Sequence, residues 1–180
     1  MPTDVDGDVF CWGLNTSGQT GQKRNASVAI GERVRLFGRA ASVAAGGAHS
    51  CSLMRSGEVW CWGSNRHRES SSAASPFTEP ERIALPRVAA AVSVRDDSSC
   101  STLEDGSVWC WGVDSEGGTC GSLVPRQVSL PARASLLAAS GGTSCIASTD
   151  NQLWCWSARS ARVGLDCAAR QIELPLVYAR

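Results

Sequence analysis

An all-β fold built from a repeated unit is predicted by three features of this sequence. The tetrad Phe10-Cys11-Trp12-Gly13 recurs as Trp60-Cys61-Trp62-Gly63, Trp109-Cys110-Trp111-Gly112 and Trp154-Cys155-Trp156-Ser157, its Cys stepping by 50, 49 and 45 residues. Self-similarity at a fixed period of about 20 to 50 residues marks a repeat architecture. Apolar residues fail to recur at helical spacing over any long window, and Gly, Ser and Pro interrupt the chain roughly every ten residues. The longest apolar stretches, such as Val88 to Val92 and Leu136 to Ala139, are strand-sized.

Each unit can be assembled in order. A Pro-bounded segment, Pro80 to Pro86, recurs as Pro125 to Pro131 and again as Gln171 to Pro175. An Ala/Val-rich strand follows. Gly46-Gly47 and Gly141-Gly142 then supply a turn, with Asp96-Asp97 in the corresponding place of the third copy. The next strand carries Cys51, Cys100 or Cys145, each ten residues ahead of its tetrad Cys. Between the two Cys lies a second turn signal, Ser56-Gly57, Asp105-Gly106 or the weaker Asp150-Asn151, matched in the first copy by Asp6-Gly7. The expected division of the single array 1–180 is into units of approximately 1–37, 38–87, 88–132 and 133–180.

The turn sets the hairpin register. A three-residue loop Arg55-Ser56-Gly57, with Gly in the left-handed conformation, closes on Met54 opposite Glu58. Counting back places Leu53 opposite Val59, Ser52 opposite Trp60 and Cys51 opposite Cys61. Alternation makes the Cys pair non-hydrogen-bonded, with Cα atoms about 4.5 Å apart, a separation a disulfide tolerates. The same register pairs Cys100 with Cys110 and Cys145 with Cys155. Cys11 has no upstream partner and is expected to be unpaired. Cys120 and Cys167 follow their tetrads by similar distances and are expected to bridge neighbouring units. Buried thiols or a metal are the alternatives for these nine Cys, but every near pair is ten apart and no C-x-x-C occurs. Disulfides point to an oxidising compartment. The expected location is therefore extracellular, periplasmic or at the cell surface, although Met1 to Asp6 show no secretory signal.

Composition excludes several classes. Seventeen Lys plus Arg cancel seventeen Asp plus Glu, so the basic face that phosphate neutralisation needs is not expected and nucleic acid is a poor partner. Hydrophobic residues at 43% argue against wholesale disorder, and no apolar run is long enough for a membrane-spanning helix.

These residues carry a resemblance. Gly46-Gly47-x-His49-Ser50-Cys51-x-Leu53, then Gly57-x-Val59-Trp60-Cys61-Trp62-Gly63, with Trp12-Gly13-x-Asn15-x-x-Gly18-Gln19-x-Gly21 of the first copy, is similar to the repeat of the regulator of chromosome condensation family. The third copy keeps Gly117, Gly118 and Gly121. The second departs with Arg66-His67-Arg68-Glu69 and Ser70 to Ser72, the fourth with Ala158-Arg159-Ser160. The resemblance implies a β-propeller of four-stranded antiparallel blades. About four repeats fit in 180 residues, so an incomplete ring is expected, with edges open to self-association.

Chemistry-bearing residues are few. Of two His, His49 sits just before a Cys strand, as expected of a structural hydrogen bonder, and His67 lies in a polar loop expected to be solvated. No nucleophile elbow, phosphate loop or H-E-x-x-H is present. Asp4-x-Asp6-Gly7-Asp8 lacks the order and twelfth-position Glu of a calcium loop, so neither metal nor cofactor is expected. Asn15 and Asn25 each begin a short glycosylation sequon. Trp60 and Trp62 share one strand face and recur in every copy, which fits packing between blades better than a ligand platform. Recognition falls to the variable loops, Arg66 to Pro76 and Gly112 to Leu123, with Arg66, His67, Arg68, Asp114 and Glu116 as candidate contacts. The expected function is a non-enzymatic, exported interaction module that binds a protein or glycan. The resemblance adds two alternatives, nucleotide exchange on a small GTPase and a secreted enzyme-inhibitor propeller.

Overall fold

A computed structural model describes residues 6–112, 122–140, 143–157 and 169–172. Every regular element among them is a strand. β1 (Phe10–Leu14) and β2 (Ser27–Arg33) form a two-stranded antiparallel sheet. β3 (Ala40–Ala45), β4 (His49–Met54), β5 (Val59–Ser64) and β6 (Phe77–Arg82) form a four-stranded antiparallel meander. β7 (Ala89–Val94), β8 (Ser99–Leu103), β9 (Val108–Gly112) and β10 (Ser122–Gln127) form the next. β11 (Ala134–Ser140), β12 (Thr143–Ser148), β13 (Leu153–Ser157) and β14 (Arg170–Ile172) form the last. None of these sheets closes on itself, and β7 contacts both β3 and β11, so the first strands of successive blades adjoin.

The hairpin between β4 and β5 follows from its turn. Met54 N–H donates to the Glu58 carbonyl at 2.8 Å, Gly57 N–H donates to the Met54 carbonyl at 2.8 Å, and Gly57 takes φ +81°. Gly106 repeats this with φ +78°, and in the last blade Asn151 stands at φ 61°, tolerable because Asn adopts the left-handed region at low cost. The resulting register sets Cys51 against Cys61, Cys100 against Cys110 and Cys145 against Cys155. Each pair is a disulfide, with Cα atoms 4.0, 4.1 and 4.1 Å apart. Pro80 and Pro125 lie in β6 and β10, which are edge strands, where a missing N–H costs no interior ladder bond.

Packing runs between sheets. Cys51 and Cys61 cluster with Leu53, Val59, Ile83 and, from the following blade, Trp111. Cys100, Cys110 and Val128 cluster with Trp156 in the same way. Cys11, the one free thiol among the described residues, is buried beside Val9, Val34 and Trp62. Every one of these interfaces therefore sets the second Trp of a tetrad on the Cys of the preceding sheet. The first Trp of the last three tetrads, Trp60, Trp109 and Trp154, is only half-buried. Trp12 has the position of Trp62 but is 51% exposed, because no described sheet lies against it.

Candidate interaction site in the loops between blades

Loops of the first two copies are organised by an Asn two residues past the tetrad Gly. The Asn15 side-chain oxygen accepts from Thr20 N–H, and its amide donates to the Lys23 carbonyl. The Asn65 oxygen accepts from Ser70 and Ser71 N–H, and its amide donates to the carbonyls of Ala73 and Ser75. Both Asn are fully buried, so these bonds satisfy backbone groups that would otherwise be costly to bury. Each Asn thus braces its loop backbone from within, and the remaining loop side chains are not needed for that role.

The two loops meet at Phe77. The guanidinium of Arg24 lies 3.7 Å above its ring centroid and that of Arg66 lies 5.5 Å away. A groove of about 640 Å³ runs here, lined by Lys23, Arg24, Arg35, Phe37, Phe77 and Glu79 among others. Its charge is mainly positive, and stacked guanidinium planes with an aromatic floor suit carboxylate or other anionic groups.

Of the residues expected to make contacts, Arg66 reaches the Phe77 ring beside this groove without lining it, and Arg68 donates to the Ser72 carbonyl at 3.2 Å. Arg68 takes φ 62°, at the place where the first copy has Gly18 with φ +80°. His67 differs from the expected solvated loop residue: its side chain is 36% exposed and its Nδ1 lies 3.4 Å from Asp97 Oδ1. The cause is the close approach of the next blade's turn. Glu69 is fully buried, accepting from Ser64 Oγ at 2.6 Å and from His67 N–H at 2.7 Å. One ligand atom each from His67, Glu69 and Asp97 falls within 4.8 Å of the others, a cluster the sequence reading did not find. Asp114, Glu116, Cys120 and Cys167 lie outside the described residues.

The other ionisable groups serve the scaffold. His49 is fully buried, with Nε2 2.8 Å from Ser99 Oγ of the next blade, and burial lowers its pKa to about 4. It is neutral at physiological pH. Burial likewise pushes the Cys11 thiol up to about 12, which removes it as a nucleophile. Asp8, from the acidic run near the start, is held below the usual carboxylate range by its bond from Arg33, with Arg39 also 2.8 Å away. Bonds from Arg82 to Glu58 and from Ser107 to Asp105 lower those two carboxyls in the same way.

Lys23, Arg24 and Phe77 were not legible as partners in sequence, since the ring and the Arg24 guanidinium come from different repeats. Glu69 carried a usable signal: shifted by the 50-residue step, it falls on Gln19.

Comparison with known proteins agrees with this geometry. Two family models described as the regulator of chromosome condensation (RCC1) repeat match residues 6–53 and 40–69. A probable E3 ubiquitin-protein ligase, HERC3 of Homo sapiens, is 48% identical over 64 residues, covering 34% of this chain and 6% of that one. The secretion-regulating guanine nucleotide exchange factor of Bos taurus is 35% identical over 92 residues, covering 46% of this chain and 20% of its own length. Among solved structures, human WBSCR16 superposes with a TM-score of 0.82 at 15% identity, over 95% of this chain and 50% of that one. Prp20p of Saccharomyces cerevisiae gives 0.73 at 17% identity, over 93% and 47%. The chain thus spans about half the length of these structures and a fifth or less of the curated relatives.

Proposed function

The chain is a regulator of chromosome condensation (RCC1) repeat protein, and on that premise we propose that it is a non-catalytic interaction module whose inter-blade loops grip an acidic surface of a protein partner. The observation that carries this reading is the convergence of Arg24 and Arg66 on Phe77 beside a groove also lined by Lys23 and Arg35. The hairpins supply a scaffold stiffened by disulfides, and divergent loops on a rigid scaffold are how such folds recognise partners. Three disulfides among the described residues support export, since such bonds persist in oxidising compartments. Cross-linked pull-down with the full chain, repeated with Arg24→Ala and Arg66→Ala together, tests the reading. Capture of one acidic protein that the double variant loses supports it. Equal capture by both proteins, or capture of a glycan alone on an array, contradicts it.

A second reading rests on the identity to a guanine nucleotide exchange factor, and the yeast protein Prp20p has binding properties toward Gsp1p and histones. Release of a fluorescent guanine nucleotide from a panel of small GTPases would favour that reading over the first.

A further inference from the structure

Glu69 is a buried carboxylate whose partners are a hydroxyl and a backbone N–H, and no Lys or Arg pairs with it among the described residues. A fully buried carboxylate facing only neutral donors is costly unless a cation reaches it. Next to it, His67 Nδ1 is a buried atom with no hydrogen-bond partner, although it stands at ion-pair distance from Asp97. A positive centre between them would answer both features at once.

Comparison of two blade junctions within this chain shows that neither feature is demanded by the fold. At the junction of the first and second sheets the strand register, with Ser99 where the earlier copy has Ser50, matches Asp97 to Ala48 and not to Gly47 of the expected Gly46-Gly47 alignment. The equivalent positions therefore hold Ser17, Gln19 and Ala48, none of them a customary metal ligand. There Gln19 Oε1 accepts Ser17 N–H, as a Glu69 oxygen accepts His67 N–H. The Gln19 carbonyl also accepts from Trp62 Nε1 at 3.0 Å, as the Glu69 carbonyl does from Trp111. A neutral amide therefore meets the duties the two junctions share, while the bond from the Ser64 hydroxyl to Glu69 has no counterpart at the first, where Leu14 takes the place of Ser64. At the second junction three positions depart from the repeat together, and all three departures introduce metal-ligating groups that meet at one point.

We propose that His67, Glu69 and Asp97 form a binding site for a divalent transition metal of the zinc type, clipping the loop after β5 to the turn between β7 and β8. Zinc takes imidazole nitrogen and carboxylate oxygen at about 2.0 to 2.2 Å in tetrahedral array, which sets two ligands roughly 3.4 Å apart. His67 Nδ1 and Asp97 Oδ1 are already 3.4 Å apart. Glu69 closes the third position with a small side-chain shift, and water fills the fourth. His67 and Asp97 are 36% and 25% exposed, so the ion has a route in from solvent. Nitrogen with two carboxylates favours zinc and its neighbours over calcium or magnesium, which prefer all-oxygen sites.

The test is a titration of zinc chloride into the oxidised full chain, followed by calorimetry, with cobalt as a spectroscopic substitute. The variants are His67→Ser, Glu69→Gln and Asp97→Ala, each restoring the residue found at the first junction. One equivalent should bind, with a tetrahedral cobalt spectrum lacking thiolate charge transfer. Since loss of an outer-shell partner alone weakens metal sites by about 10 to 100-fold, loss of a direct ligand should weaken this one by more than about 100-fold. Zinc should raise the melting temperature of the wild type and leave Glu69→Gln unmoved. Absence of saturable binding, or binding that the variants retain, overturns the proposal. Glu69→Gln keeps the test sound, because Gln19 shows that Gln folds in this position.

Discussion

The indole N–H of Trp111 donates to the carbonyl oxygen of Glu69 at 3.0 Å, joining one blade's tetrad to the loop of the blade before it. Trp62 makes the same bond to Gln19. The buried Trp is thus a latch between neighbouring blades as well as core volume. Truncating Trp111 to Ala removes both, and should cost about 3 to 5 kcal/mol. Trp12→Ala, at the same repeat position but half exposed, should cost less than about 1 kcal/mol. Urea unfolding of the two variants checks this, and equal losses would show that the latch carries little of the stability.

Close approach of blades also explains the tetrad Gly. A Cβ on Gly112 would lie 2.5 Å from the Asp97 carbonyl oxygen, and one on Gly63 would lie 2.7 Å from that of Ala48. Both also have positive φ, at +84° and +105°. Gly13 has φ +103° yet meets nothing within 4 Å. Gly13→Ala should therefore show backbone strain alone, about 1 to 2 kcal/mol. Gly63→Ala and Gly112→Ala should show that strain plus a backbone clash, and unfold at clearly lower denaturant. Three similar midpoints would argue that the sheets do not pack this closely.

Burial of His49 makes stability depend on pH. Its folded pKa of about 4 lies below the ordinary 6.5, so between those values the unfolded chain binds the extra proton. The contribution is complete above pH 6.5 and is lost as pH falls toward 4. Its full size is about 3 kcal/mol by linkage. Denaturation midpoints measured across that window should fall in the wild type and fall less in His49→Gln. An unchanged slope in the variant would assign the effect to other groups.

The hairpins were readable because their determinants are local. Gly57 fixes a turn, the turn fixes the register, and the register opposes Cys51 and Cys61 within eleven consecutive residues. What separates Trp12 from Trp62 is not local, since the two have the same neighbours in sequence and differ only in whether a sheet lies against them. Arg24 with Phe77, and His67 with Asp97, likewise meet through blade stacking across about 50 and 30 residues of chain, a distance over which residue type alone carries no pairing signal.

The central claim is a hairpin stapled by two Cys ten residues apart and repeated along the chain. A disulfide map tests it most directly: non-reducing digestion and mass spectrometry of protein from an oxidising compartment, with thiols blocked before and after unfolding. Each such bond should add about 2.5 to 3 kcal/mol on the loop-entropy model, so the bonds should survive handling. The account predicts linked peptides for Cys51 with Cys61, Cys100 with Cys110 and Cys145 with Cys155, and a Cys11 that labels only after unfolding. Nine labelled thiols, or any other pairing of those six Cys, would contradict it.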